Sequence, residues 1–245
     1  MKRLTRRRKH LRRGPASQRI HQCRDRPQRD RNGHEHNAIG DAATATVATS
    51  VANGLNATAT GAQSNAIGTN ATATGRSSNA IGTNATATGQ GSTASGATAS
   101  AFGQGSLANV DATTAIGQAS IANATGATAI GQGSTATGAR AFAGGIAATA
   151  SGASAVAIGD SVRTTQTGSI AIGLNSASTG VNSIAIGAGA VATGSVAVGS
   201  GAAASNGGAA FGDNAVATGA NSAALGPNAL ALAPNSVALG SGAVA

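Results

Sequence analysis

Between Ser64 and Gly89 the chain reads SNAIGTNATATGRSSNAIGTNATATG, in which the segment Asn65–Gly75 recurs letter for letter at Asn79–Gly89, 14 residues on. A short fixed period of this kind excludes an ordinary globule, because one unit cannot bury a hydrophobic face until it stacks on its neighbours. Gly40, Gly54, Gly68, Gly82 and Gly96 stand 14 apart, and Gly61, Gly75, Gly89 and Gly103 fall halfway between them. The working unit is therefore a seven-residue half, used twice per turn. The pattern continues through Gly117, Gly131, Gly145, Gly159, Gly173 and Gly187, slips to Gly199 and Gly212, and returns to 14 with Gly226 and Gly240. Two regions follow: a basic leader, residues 1–36, and one repeat array, residues 37–245.

Composition supports the division. The chain has 37 Gly, no Trp or Tyr and three Phe, so the aromatics that usually fill a compact core are missing. Glycine without a Gly-X-Y period is not collagen, and the regular phase of Ile and Val is what a disordered linker lacks. The single Cys23 excludes an intramolecular disulfide framework, and no run of apolar residues is long enough for a membrane helix.

Within a half-unit the residue before Gly is Ile39, Ile67, Ile81, Phe102, Ile116, Ile130, Ile158, Ile172, Ile186, Val198, Phe211, Leu225 or Leu239. Val51, Phe142, Val156, Ile170, Ile184, Val196 and Val237 stand two positions earlier. Positions two apart share a face of a strand, so the branched residues take one face and the alanines between them the other. The spacing predicts an all-β parallel β-solenoid with 14-residue coils. Each coil has two strands of about five residues, closed by glycine turns where the chain needs φ > 0. Fourteen or 15 coils at ~4.8 Å each make a rod of roughly 70 Å.

So narrow a coil leaves room only for alanine inside, and the branched residues then form a ridge along one side of the rod. Thirteen such side chains represent roughly 25 kcal/mol of burial, against stability margins of ~5–15 kcal/mol, so the ridge is expected to be an interface between chains. Its residues are Ile67, Ile81, Ile116, Ile130, Ile158, Ile172, Ile186, Leu225 and Leu239. With isoleucine turned inward instead, a single chain would stand alone.

Residues 1–36 hold 13 of the 16 Lys and Arg and three of the seven acids, a local balance of +10. The pI of 11.7 belongs to this leader and not to the array. It is expected to be a disordered basic tail, or translated sequence that is not native coding sequence. No aromatics interleave with its arginines, so nucleic-acid binding is not expected. It lacks the apolar core of a secretory signal. His34-Glu35-His36, with His10, His21 and Cys23, gives no metal-ligand spacing.

Three segments carry a resemblance: Asn182-Ser183-Ile184-Ala185-Ile186-Gly187, Gly168-Ser169-Ile170-Ala171-Ile172-Gly173 and Asn235-Ser236-Val237-Ala238-Leu239-Gly240. They resemble the N-S-V-A-I-G repeat of the YadA-like head (Hep/Hag repeat) of trimeric autotransporter adhesins, and the resemblance covers about residues 37–245. It implies a left-handed β-roll associating as a homotrimer on the outer membrane of a Gram-negative bacterium. It further implies attachment to host extracellular matrix such as collagen, or to other cells, with the segments at Asn182–Gly187 and Asn235–Gly240 as the matrix-binding motif. Full-length members add a signal peptide, neck, stalk and anchor, so the chain resembles a head fragment that meets no membrane itself.

Two other functions fit a solenoid. An inert spacer scaffold is one. The other is an ice-binding face built on the Thr-x-Thr ladder Thr44/Thr46, Thr58/Thr60, Thr72/Thr74 and Thr86/Thr88, although Thr also simply suits strands. A calcium roll is rejected because the array has only Asp41, Asp111, Asp160 and Asp213 as acids. An enzyme is not expected either: the array has no His and its carboxylates are scattered. No cofactor is implied.

Overall fold

The computed structural model describes residues 28–29 and 35–245. Two parallel sheets run the length of the array, one of sixteen strands (sheet I) and one of fifteen (sheet II) among the described residues. The chain alternates between them with every half-unit. Neighbouring strands are a coil apart in sequence and in register: Asn65 pairs with Asn79 in sheet I, and Thr72 with Thr86 in sheet II. The parallel solenoid expected from the period is the fold. One strand departs from it, Gln28–Arg29, which pairs antiparallel with Glu35–Ile39 and so covers the first edge of sheet I.

The strands are shorter than the expected five residues. Apart from Glu35–Ile39 they span two or three, as at Thr72–Ala73 and Asn65–Ile67. The reason lies at the corners, which take up the rest of each half-unit. The first residue of a half-unit donates its N–H to the carbonyl of the corner glycine three residues back, as Ala71 does to Gly68 and Ser92 to Gly89, both at 3.2 Å. The residue just before it occupies the left-handed region, the third-position requirement of a type II turn.

Twenty-one described non-glycine residues take that conformation, and ten of them are Asn, including Asn56, Asn70, Asn84, Asn182 and Asn235. Asparagine recurs there because it tolerates φ > 0 better than other side chains. Asn56 and Asn70 also donate their side-chain amides to the next coil's asparagine, at 3.1 and 2.9 Å, so the column ends on Asn84. Thr98 follows in the same column at φ 56, a poor place for a β-branched residue. Thr98→Asn relieves that strain and adds a rung, so it is expected to raise stability by about 1 kcal/mol, read as a higher denaturant midpoint at unchanged slope.

The interior is alanine, as the narrow coil requires. Ala66, Ala73, Ala80 and Ala87 are fully buried in successive half-units, and Val162 is the largest fully buried side chain among the described residues. Each half-unit also turns its first residue inward. Where that residue is serine, its hydroxyl donates to the corner carbonyl, as Ser92, Ser106, Ser120 and Ser134 do, each at 2.9 Å. The hydroxyl is thereby buried without an unmet hydrogen bond.

The corner glycines have two causes, of which the sequence reading anticipated one. Gly89, Gly103 and Gly117 have φ of 128°, 134° and 125°, conformations that belong to glycine. Gly138 and Gly152 are not among the positive-φ residues. A Cβ on either would lie 1.9 Å from a carbonyl oxygen of the coil above, that of Gly152 and that of Gln166 respectively. There glycine serves the stacking distance.

The slipped spacing after Gly187 is absorbed at the corners. Ile184 pairs with Val196, and Val196 with Ala209, so the ladder of sheet II continues across shortened coils.

Candidate functional site

A roll filled with alanine keeps every large side chain for its surface. The residue before each corner glycine points outward, as do those two positions earlier. Ile116 and Ile130 remain 38% exposed and Phe211 43% exposed, whereas the alanines between the outward positions are sealed. The outward orientation of the ridge is as expected. Its course is not.

The apolar ridge does not run along one side. Ile39 and Ile67 are on sheet I, and Ile81 follows the sheet I strand Asn79–Ala80. Phe102, Ile116, Ile130, Ile158, Ile172, Ile186, Val198, Phe211, Leu225 and Leu239 are all on sheet II. Of the nine residues expected to share an interface, Ile67 and Ile81 thus face the opposite way from the other seven. The cause is arithmetic: Ile81 and Phe102 are 21 residues apart, one and a half coils, and an odd number of half-units changes sheet.

The polar residues exchange in the opposite sense. The column of Thr60, Thr74 and Thr88 stands on sheet II, in line with the later ridge, and gives way to it at Phe102. The column of Thr58, Thr72 and Thr86 continues instead through Ser100, Thr114 and Thr128. Beyond that point the outward places of sheet I hold Thr135, Thr137 and Thr149 among others. Thr74 donates its hydroxyl to Thr88 at 3.1 Å, so part of the ladder is turned to itself.

From Phe102 the sheet II ridge is continuous. Ile158 stacks on Ile172 and that on Ile186, and Phe211, Leu225 and Leu239 follow in register. The one rung without a branched side chain is Gly144, between Ile130 and Ile158. There the ring of Phe142 leans across, its Cε1 2.8 Å from where a Gly144 Cβ would be. The gap is filled from the neighbouring outward position.

The two segments expected to bind matrix are mostly used by the roll itself. Asn182 and Asn235 hold left-handed corners at φ 54 and 58. Ser183 and Ser236 donate to the carbonyls of Gly180 and Ala233 at 2.8 and 2.7 Å. Ala185 and Ala238 are buried, and Gly187 and Gly240 are corners with φ of 128° and 113°. Asn182 and Asn235 remain exposed at their corners, and Ile184, Ile186, Val237 and Leu239 face outward as part of the ridge.

Elsewhere the corners present uncharged amide columns, which the sequence reading did not identify. Gln132, Gln118 and Gln104 each donate to the glutamine one coil back, at 3.0, 3.2 and 3.5 Å, ending on Gln90. Three of the array's four acids have a backbone duty: Asp111, Asp160 and Asp213 accept the N–H of Ala97, Ile146 and Ser200. The expectations for His10, His21, Cys23 and His34 fall on residues outside those described, as does that for a disordered leader apart from Gln28–Arg29 and Glu35–His36, which are in strands.

A family model described as the YadA head domain repeat (2 copies) matches residues 52–78, 59–85, 73–99, 94–120, 111–134, 122–147, 165–190, 203–229 and 217–243. The first two matches are offset by seven residues, one half-coil. The stretches left between matches are 148–164 and 191–202, and the second contains the shortened coil at Gly194–Ser195. No curated protein matches the chain.

Proposed function

The chain belongs to the YadA head repeat family, and on that premise we propose that it is the head of a cell-surface adhesin. In this reading three copies pack side by side as left-handed rolls on a Gram-negative outer membrane. The head then attaches the cell to extracellular matrix such as collagen, or to other cells.

The observation that carries this reading is the sheet II ridge from Phe102 to Leu239. It is apolar, uncharged and in register over its whole length, and a stripe of that extent is stable in water only when covered. Copies of the same chain offer a face of matching length. With the ridge between copies, Ile184, Ile186, Val237 and Leu239 are taken up by assembly. Contact with matrix falls instead to sheet I and to the corner columns of Asn and Gln. The corner columns are polar and repetitive, and sheet I mixes Thr and Ser with apolar residues such as Ile67, Leu107 and Val216. Repeated along the rod, they lend themselves to many weak contacts with a fibrous ligand.

Saturable binding of the purified chain to immobilised collagen, or to host cells, is the test. Because the surface repeats at every coil, one outward substitution such as Thr137→Ala is expected to change that binding less than twofold. An array that binds neither matrix nor cells would instead be a spacer scaffold.

A further inference from the structure

The left-handed corner place accounts for asparagine, but not for the residue two positions on. After seven of the ten asparagines found there, that residue is Ala177, Ile184, Gly208, Val216, Ala223, Leu230 or Val237. After the other three it is threonine. Asn56-Ala57-Thr58, Asn70-Ala71-Thr72 and Asn84-Ala85-Thr86 lie one coil apart, at the corner that leads into sheet II. Each is an Asn-x-Thr triplet, the acceptor sequence for an N-linked sugar. The chain's fourth such triplet, Asn123-Ala124-Thr125, follows the sheet I strand Ile121–Ala122 and has no counterpart in the adjacent coils.

The roll presents the three corner triplets to solvent. Ala57, Ala71 and Ala85 are fully buried, so the Asn and Thr that flank each of them both turn outward. The asparagines are exposed and the threonines half-buried. Thr74 donates to Thr88, whereas the hydroxyls of Thr58, Thr72 and Thr86 have no hydrogen-bond partner among the described residues. Asn56 and Asn70 each give one side-chain N–H to the next coil's asparagine, and an amide has two. Asn84 ends that column, and its amide donates to none of the described residues. The column lies ahead of the ridge that begins at Phe102, so packing of that ridge between copies leaves it open.

We propose that Asn56, Asn70 and Asn84 are sites of N-linked glycosylation, modified by a transferase of the cell that makes the chain. The donor is a sugar activated at its anomeric carbon by a diphosphate. The side-chain Nδ2 bonds to that carbon, the carbon–oxygen bond to the diphosphate breaks, and the diphosphate leaves with the electron pair. One amide proton passes to a base of the transferase, and nothing is oxidised or reduced. The sugar replaces one amide hydrogen and the ladder uses the other, so modification and ladder coexist. Adjacent acceptors are only ~4.8 Å apart, so sugars on neighbouring rungs crowd each other. Asn84, with both amide hydrogens uncommitted, is expected to carry the highest occupancy.

Peptide mapping by mass spectrometry, on the chain isolated from its native cells, tests this. Sugar is expected on the three triplet asparagines and on none of Asn175, Asn182, Asn214 or Asn228, which share the corner conformation without the threonine. An added mass of one hexose identifies a nucleotide-linked donor and a larger block a lipid-linked one; either supports the sites. Thr86→Val leaves Asn84 in place and is expected to abolish its modification, whereas Thr86→Ser retains it. Val156 stands in the same sheet II column, so the roll accepts valine there, and circular dichroism checks the fold directly. Unmodified protein, sugar confined to Asn123, or modification of Asn84 that survives Thr86→Val overturns the proposal.

Discussion

Gly138→Ala and Gly152→Ala are each expected to destabilise the roll by about 3 kcal/mol or more, the largest loss from any single methyl group in the array. At both positions the added Cβ would stand 1.9 Å from a backbone carbonyl oxygen in the next coil. A side chain could rotate aside; a carbonyl held in a ladder cannot, so the two coils must separate and give up hydrogen bonds on both sheets. Because each coil touches only its neighbours, the damage also uncouples the segments on either side. The unfolding transition should therefore broaden as well as shift to lower denaturant. Gly133→Ala is the control. Its Cβ would meet nothing within 4 Å, and its φ of 64 is the only obstacle, worth ~1 kcal/mol. Equal effects at Gly133 and Gly138 would show that coil spacing is not what selects glycine at these corners.

That contrast marks how far the residues alone could be read. Alternation around Ala171 and Ala185 suffices to place alanine inside and isoleucine outside, because a coil of two seven-residue halves has no room for more. The solenoid and its 14-residue step follow from the same pattern. The need for glycine is also legible, but not its cause: φ at Gly103 and steric contact at Gly138 leave the same letter. The recurring Asn56, Asn70 and Asn84 carry a signal that periodicity does not interpret, since only the backbone shows that the residue before each half-unit is left-handed. The change of face was present in the numbers. Ile81 and Phe102 are separated by an odd multiple of seven, but a reading that treats the two halves of a coil as interchangeable passes over it. Strand lengths were overestimated because the corner residues are too polar or too small to differ in pattern from the strands they join.

In the trimer proposed above, three aspartates on the sheet II ridge, at Ile116, Ile130 and Ile158, are expected to leave single chains. Each substitution removes about 2 kcal/mol of apolar burial and sets a carboxylate in a contact that holds no cation to pair with it. The cost of desolvating an unpaired charge is larger still. Within the monomer the change is mild, because these positions are 38–41% exposed and Asn already occupies the equivalent outward place at Asn109 and Asn123. Light scattering after size exclusion should read the mass of one chain while circular dichroism retains the β signal. Aspartates at Thr137, Ser151 and Thr165 put the same charge on sheet I in the same stretch of coils, and should leave the mass at three chains. A triple variant at Ile116, Ile130 and Ile158 that kept the wild-type mass would remove sheet II from the interface. The opposite result in the two sets, with sheet I sensitive and sheet II tolerant, would make Ile67 and Ile81 the inner face. The first coils would then anchor the assembly, and the long ridge from Phe102 to Leu239 would be the surface presented to the matrix.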